Sequence, residues 1–278
     1  MASLLILGLG WAGEFLAELL DSQATDISYA ATTRDGRNHT IPWSLGTDPS
    51  NVNVSRLPIA QTVLVTFPVL DPMVMKALID AYDRKAGGAS QWIILSSTRP
   101  FNSPGTNDRH SPLDRSQDPE RIPAEDVVLA RQGSVLHLAG LWGKQRQPKG
   151  WVGYFTTKDA LKHKLLDRQL HLVHGKDVAR AILAVHLGVQ KYTQLRAQRW
   201  ILTDQRCYDW LRLFLAWASN DQITILQHLL DYDQDIQKKW GRHQTLHRLV
   251  KEGLKPRLDS KSFWDSFGLV PTTFLAIE

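Results

Sequence analysis

The stretch "LLILGLGWAGEFLAELL", Leu4 to Leu20, constrains the fold of this chain more than any other segment. An unbroken apolar run leads into Gly8-x-Gly10-x-x-Gly13, and the spacing of an amphipathic helix follows at once. An apolar run without alternation is the pattern of a strand buried on both faces, so the sheet it belongs to carries helices on each side. The three glycines have separate tasks. Gly8 permits the tight turn, Gly10 lets a ligand's pyrophosphate approach the backbone, and Gly13 allows close packing of helix on strand. The free N–H groups of the first helical turn then face phosphates. The context predicts dinucleotide binding, with Gly8, Gly10, Trp11, Ala12 and Gly13 as contacts. The open alternative is an inherited turn whose site is repurposed.

The rest of the chain continues the alternation. Strands are expected at 27–32, 62–67, 91–97, 134–141 and 199–204, and helices at 72–85, 123–132, 157–167 and 176–190. A short strand within "HTIPWSL" is weakened by Pro42. Alternating strands and helices predict an α/β, Rossmann-like doubly wound parallel sheet. We assign 1–150 to the nucleotide-binding domain, with strand and helix returns from about 168–205. A smaller, mostly helical substrate lobe spans 151–278 and is not cleanly separable. The polar loop from Arg99 to Ile122 holds four prolines and is long for a compact domain, which marks it as functional or mobile.

Charge and composition exclude several classes. No apolar run reaches the roughly 20 residues needed to cross a bilayer. With one cysteine, Cys207, no internal disulfide is possible, and with no basic leader the chain is expected to be cytoplasmic. The net charge of +5 comes from scattered lysines and arginines rather than a dense stripe, which argues against nucleic acid as a partner. His163, His171, His174 and His186 match no compact ligand set, so no metal site is expected.

The end of the second strand bears on the choice of cofactor. An acidic residue there suits the ribose hydroxyls of NAD, whereas this chain reads "TTRDGR". Thr33 and Arg34 at that place favour the 2′-phosphate of NADP, although a one-residue shift would bring Asp35 there instead. Thr66, Phe67 and Pro68 end the next strand and Ser97 the one after, where backbone groups converge on the cofactor.

The segments "GLGWAG", "LVTFP", "ILSST", "PAEDVVLA", "LHLAGLWG" and "HGKDVARAI" together resemble the atypical extended short-chain dehydrogenase/reductase superfamily, including its epimerase/dehydratase-like members. The resemblance implies a Ser or Thr after a strand, a Tyr acid/base, and a Lys four residues beyond that Tyr. Thr98 matches the first. If Glu125 matches the Glu that follows the Lys in relatives, Arg121 replaces the Lys and Gln117 the Tyr. Arginine stays charged and glutamine does not titrate, so the usual proton relay is missing. A literal Tyr-x-x-x-Lys, Tyr154 to Lys158, falls one strand later; it either lines the pocket or is a chance match at a helix start. Arg99 and Trp142 are candidates for substrate contact. The resemblance implies an NADP-binding oxidoreductase or hydride-linked isomerase acting on a small organic or sugar-like substrate. Two alternatives remain open: an NADP(H) redox sensor that acts through a regulatory protein partner, and a non-redox isomerase or cyclase. Substrate identity and oligomeric state are not legible at this level.

Overall fold

The computed structural model describes residues 2–22 and 27–277. Its strands are β1 (Ala2–Leu7), β2 (Tyr29–Thr33), β3 (Ile41–Pro42), β4 (Ala60–Val65), β5 (Gln91–Ser97), β6 (Ser134–Leu138), β7 (Gly140–Trp142), β8 (Gln169–Leu170), β9 (Leu172–His174), β10 (Arg199–Leu202) and β11 (Tyr208–Asp209). The first helices are α1 (Trp11–Ser22), α2 (Pro72–Ala86), α3 (Arg121–Ala130), α4 (Pro148–Val152), α5 (Lys158–Leu166) and α6 (Gly175–Lys191). They are followed by α7 (Trp210–Trp217), α8 (Asn220–Tyr232), α9 (Gln234–Trp240), α10 (Leu246–Lys251) and α11 (Lys261–Ser266).

Successive side chains of β1 enter two different cores, as the period of a strand requires. Leu4 and Ile6 pack with Phe15 and Leu16 of α1 and with Ile182 and Val185 of α6. Leu5 and Leu7 pack with Leu78 and Ile79 of α2 and with Ala124 and Val128 of α3. Each such fully buried side chain contributes about 1.5–3 kcal/mol. The sheet is parallel in the order β3-β2-β1-β4-β5-β6-β10, the Rossmann-like doubly wound arrangement that was expected. Strand order reverses between β1 and β4, which opens a crevice at their carboxyl ends. Pro42 is accommodated because β3 is the edge strand.

The run expected as one strand over 134–141 is divided. Ala139 still bonds to Leu202 of β10, at 3.0 Å, but the next N–H, of Gly140, donates to His171 O at 2.9 Å. At Gly140 the chain thus leaves the sheet, and β7 pairs with β9 instead. A Cβ there would lie 3.0 Å from that same His171 oxygen, so the change of partner depends on the glycine.

Helices α4, α5 and α7 to α10 enclose a separate apolar core that includes Leu161, Trp210, Phe214 and Leu229. Buried Arg168 fastens it, donating to Asp209 at 2.5 Å and to Leu249 O at 2.8 Å. The chain then returns to the sheet, where Phe263 of α11 packs edge-on against Trp200 of β10, 5.6 Å between centroids. The loop after β5 is pinned down. Asn107, fully buried, pairs by backbone with Arg257 and Asp259, each at 2.8 Å, and its side chain donates to Ser103 O. Among the described residues, no helix is long and apolar enough to cross a membrane, and no three metal-binding side chains form a cluster.

Candidate functional site

The glycine turn joins β1 to α1 as a rigid corner. Gly8 has φ +90°, and a Cβ on it would sit 2.8 Å from Phe67 Cδ1 and 2.9 Å from Thr66 Oγ1. Its N–H donates to Thr32 Oγ1 at 2.9 Å, and Leu9 N–H donates to Thr32 O at 2.7 Å, so β2 holds the turn from the other side. A Cβ on Gly13 would meet Gly8 O at 3.1 Å, which shows how closely α1 rests on the turn. A Cβ on Gly10 would meet nothing within 4 Å, so the backbone there is open. Glu14 N–H to Gly10 O, 2.8 Å, is the first turn-closing bond of the helix. The amides of Trp11, Ala12 and Gly13 precede it and point out of the helix as donors.

A cavity of about 880 Å³ opens on this turn. Gly8, Gly10, Trp11, Thr33, Arg34, Thr66, Phe67 and Pro68 line it, as do Asp35, Arg37 and Arg146. Arg34 is the first residue past β2 and Asp35 the second. The Asp35 carboxylate faces Arg37 Nη1 at 3.6 Å. The Arg37 backbone N–H, followed by the Thr33 hydroxyl, holds the Asp35 carboxyl below the usual carboxylate range. The far end of the cavity thus presents two guanidiniums, one of which shares its charge with Asp35.

A second cavity of about 580 Å³ continues along the carboxyl ends of β5 and β6. Gly10, Trp11, Thr66, Pro68 and Arg146 line both, so the two form one cleft over the switch point. Ala12, Ser96, Ser97, Arg121 and Trp151 line the second part only. The Ser96 hydroxyl donates to Glu125, whose side chain is fully buried. Burial raises the Glu125 carboxyl, while hydrogen bonds from Ser96 and the charge of Arg199 act in the opposite direction. His137 Nδ1 lies 2.7 Å from Ser97 O, and Nε2 lies 3.3 Å from Arg199 Nη1 and 3.6 Å from Glu125. Complete burial pushes His137 down to about 3, so it is neutral at ordinary pH, with Nδ1–H donating to Ser97. No ion pair with Glu125 forms. Among the described residues lining this second part, none is a tyrosine, histidine or carboxylate, and Glu125 adjoins it through the Ser96 hydroxyl.

Several residues singled out from the sequence are placed elsewhere. Thr98 is one residue past β5 and lines neither part of the cleft; its N–H donates to Leu138 O at 3.2 Å. Arg99 is exposed, with its backbone N–H on Ser97 Oγ. Trp142 is only 8% exposed and packs edge-on against His174 at 4.6 Å, because β7 turns its ring inward against β9. Tyr154 is 79% exposed in the connection after α4, and Lys158 is the exposed first residue of α5. Thr157 caps that helix by accepting Ala160 N–H at 3.2 Å. The amide of Gln117 donates to Asp114 at 3.2 Å. Arg121, by contrast, does reach the cleft.

Ser96, Arg37, Trp151 and Arg146 line the cleft without having been singled out. Arg146 closes the tight turn that Gly143 opens at φ +122°, and its guanidinium lies 4.8 Å from the ring of Trp11. The turn is fastened to α1: Trp11 Nε1 donates to Gly143 O at 3.2 Å, and Lys144 pairs with Glu18 at 2.6 Å. The second arginine of "TTRDGR" was the available signal for Arg37.

No family pattern matches the sequence, and no curated protein matches it. Solved structures do match its fold. MoeE5 in complex with UDP-glucose and NAD superposes with a TM-score of 0.60 at 14% identity, covering 99% of this chain and 95% of that one. The terminal R domain of the myxalamid biosynthetic pathway gives 0.61 at 12% identity, covering 99% and 87%. UDP-N-acetylglucosamine 4-epimerase from Bacillus cereus gives 0.57 at 11% identity, covering 98% and 95%. The chain thus shares the α/β fold of these solved structures, as its doubly wound sheet leads one to expect. Identities this low establish the fold alone.

Proposed function

We propose that this chain is an NADP-dependent oxidoreductase or hydride-linked isomerase acting on a small organic or sugar-like molecule. The observation that carries the reading is the continuous cleft across the β1–β4 switch point, with amide donors at its centre and guanidiniums at the β2 end. Its donor set fits a dinucleotide. The open backbone at Gly10 and the first-turn amides of α1 suit a pyrophosphate, and Arg34 with Arg37 suits a 2′-phosphate. Asp35 stays ionised beside Arg37, and the two guanidiniums outnumber it at that end of the cavity. The NAD bound by MoeE5 supports a nicotinamide cofactor, and the sugar nucleotide it binds supports a small-molecule substrate. Bound there, the cofactor would supply or accept hydride.

The chain's own residues provide the rest. Ser97 presents a hydroxyl at the end of β5 whose proton is free to donate to a substrate oxygen, whereas the Ser96 proton is held by Glu125. Arg121 brings positive charge to the same part of the cleft. Trp11 and Trp151 narrow the cleft and exclude water. The test is hydride transfer: protein loaded with NADPH is screened against carbonyl substrates, following cofactor absorbance. Oxidation that depends on both substrate and the Ser97 hydroxyl supports the proposal. Persistent cofactor with every substrate class refutes it. The absence of a titratable side chain on the wall of the second cavity favours one other reading, a redox sensor that binds cofactor without turnover.

A further inference from the structure

The second part of the cleft has the charge of an anion site. Its polar side chains are hydroxyls and two guanidiniums, those of Arg121 and Arg146, and among the described residues no aspartate or glutamate lines it. Arg121 lines this part alone and stays clear of the first. Its Nη1 faces Asp118 at 3.5 Å, while its Nε is buried and has no partner among the described residues. Nε and Nη2 together form the edge of a guanidinium that grips a carboxylate or phosphate with two parallel bonds. A buried donor without a partner costs free energy, and an acceptor that reaches this guanidinium from the cavity relieves that cost. Arg146 adds a second charge where the two cavities meet, held against Trp11 by a turn that Lys144 clamps to α1. The pyrophosphate donors are supplied separately by α1.

We infer that the substrate carries an oxyanion, a carboxylate or a phosphate ester, gripped side-on by Arg121 and neutralised further by Arg146. The inference rests on the reading of this cleft as a cofactor and substrate site. The bound group then shares the cavity with the Ser97 hydroxyl at the end of β5. Neutral molecules of the same shape offer Arg121 only uncharged acceptors and bind more weakly.

The test is calorimetric titration of NADP⁺-saturated protein with malonate, with inorganic phosphate and with neutral malonamide. Saturable binding of malonate or phosphate but not malonamide is expected, weakened at least tenfold in Arg121→Gln and less in Arg146→Gln. Arg121→Lys, which keeps the charge and loses the fork, is expected to restore only part of the affinity. The stronger of the two anions assigns the carboxylate or the phosphate source. Thermal melting of each variant shows that it is folded, and Arg146→Gln, on an exposed turn, serves if Arg121→Gln is not. Anion binding that Arg121→Gln leaves unchanged overturns the inference. So does anion binding that NADP⁺ abolishes, because the arginines would then serve the cofactor. Nucleotide binding without any anion binding overturns this inference and leaves the proposed function standing. Arg121-dependent anion binding in a protein that takes up no nucleotide does the reverse.

Discussion

Substituting alanine at Gly8 and at Gly10 separates the structural from the binding role of the turn. At Gly8 the new methyl lies 2.8 Å from Phe67 Cδ1 and 2.9 Å from Thr66 Oγ1, on backbone with φ +90°. Left-handed backbone costs an L-residue about 1–2 kcal/mol. Displacing the Phe67 ring adds about 1–3 kcal/mol. The sum, about 2–5 kcal/mol, lowers Tm by about 3–9 °C in a chain of this size. At Gly10 the methyl meets nothing within 4 Å and needs no left-handed backbone. Gly10→Ala is therefore expected to be as stable as the native protein, or more stable by about 0.4–1 kcal/mol through the unfolded chain. Its methyl stands where the two cavities join, and NADPH affinity is expected to fall at least about tenfold, or 1.4 kcal/mol. Thermal melting and calorimetric titration measure the two effects. The reasoning is refuted if Gly10→Ala melts as early as Gly8→Ala, or if it binds NADPH like the native chain.

Two further outcomes follow from buried polar groups away from the cleft. Asp177, fully buried, accepts the backbone N–H groups of Thr272 and Thr273 and a bond from Arg180 at 2.7 Å, so Asp177→Ala is expected to cost about 3–5 kcal/mol in urea unfolding and to expose the tail to proteases. Three buried groups with large shifts help shape the acid limb of stability. Burial pushes His137 down to about 3 and His171 down to about 4, so native stability from each is lost as pH falls from about 6.5 through those values. Burial pushes Asp204 up to about 6, so the native state takes up a proton there that the unfolded chain does not, and between about pH 6 and 4 this offsets one histidine. In Asp204→Asn the loss of stability over that window is expected to steepen by about 1.4 kcal/mol per pH unit, measured by urea unfolding at a series of pH values. An unchanged slope contradicts the assignment.

The parts of this molecule that were legible in the sequence are those set by local period. Leu4 to Leu7 announce a strand buried on both faces, and the glycine spacing announces the turn. The division of "SVLHLAGLW" was not legible, because it depends on which neighbour Gly140 meets across space rather than on any change in hydrophobicity. Which hydroxyl faces the cleft was likewise hidden. The cleft opens at the carboxyl end of β5, where Ser96 and Ser97 line it and Thr98, one residue past the strand, does not. The spacing of Tyr154 and Lys158 puts two side chains on one face only within a single helix. Here α4 ends at Val152 and α5 begins at Lys158, so the spacing has no such meaning. Arg146 reaches the cleft through a turn folded back onto α1, a contact between segments more than a hundred residues apart.

The central claim is that this cleft holds NADP. Its most direct test is calorimetric titration of nucleotide-free protein with NADPH, NADP⁺, NADH and NAD⁺, repeated on Arg34→Ala. Charged hydrogen bonds to the 2′-phosphate are worth about 1.5–3 kcal/mol, so the native chain is expected to prefer NADP(H) by about tenfold or more. In Arg34→Ala that preference is expected to shrink while NAD(H) affinity holds. Equal affinity for all four nucleotides in both proteins would contradict the NADP assignment, and binding of none would contradict the cofactor site itself.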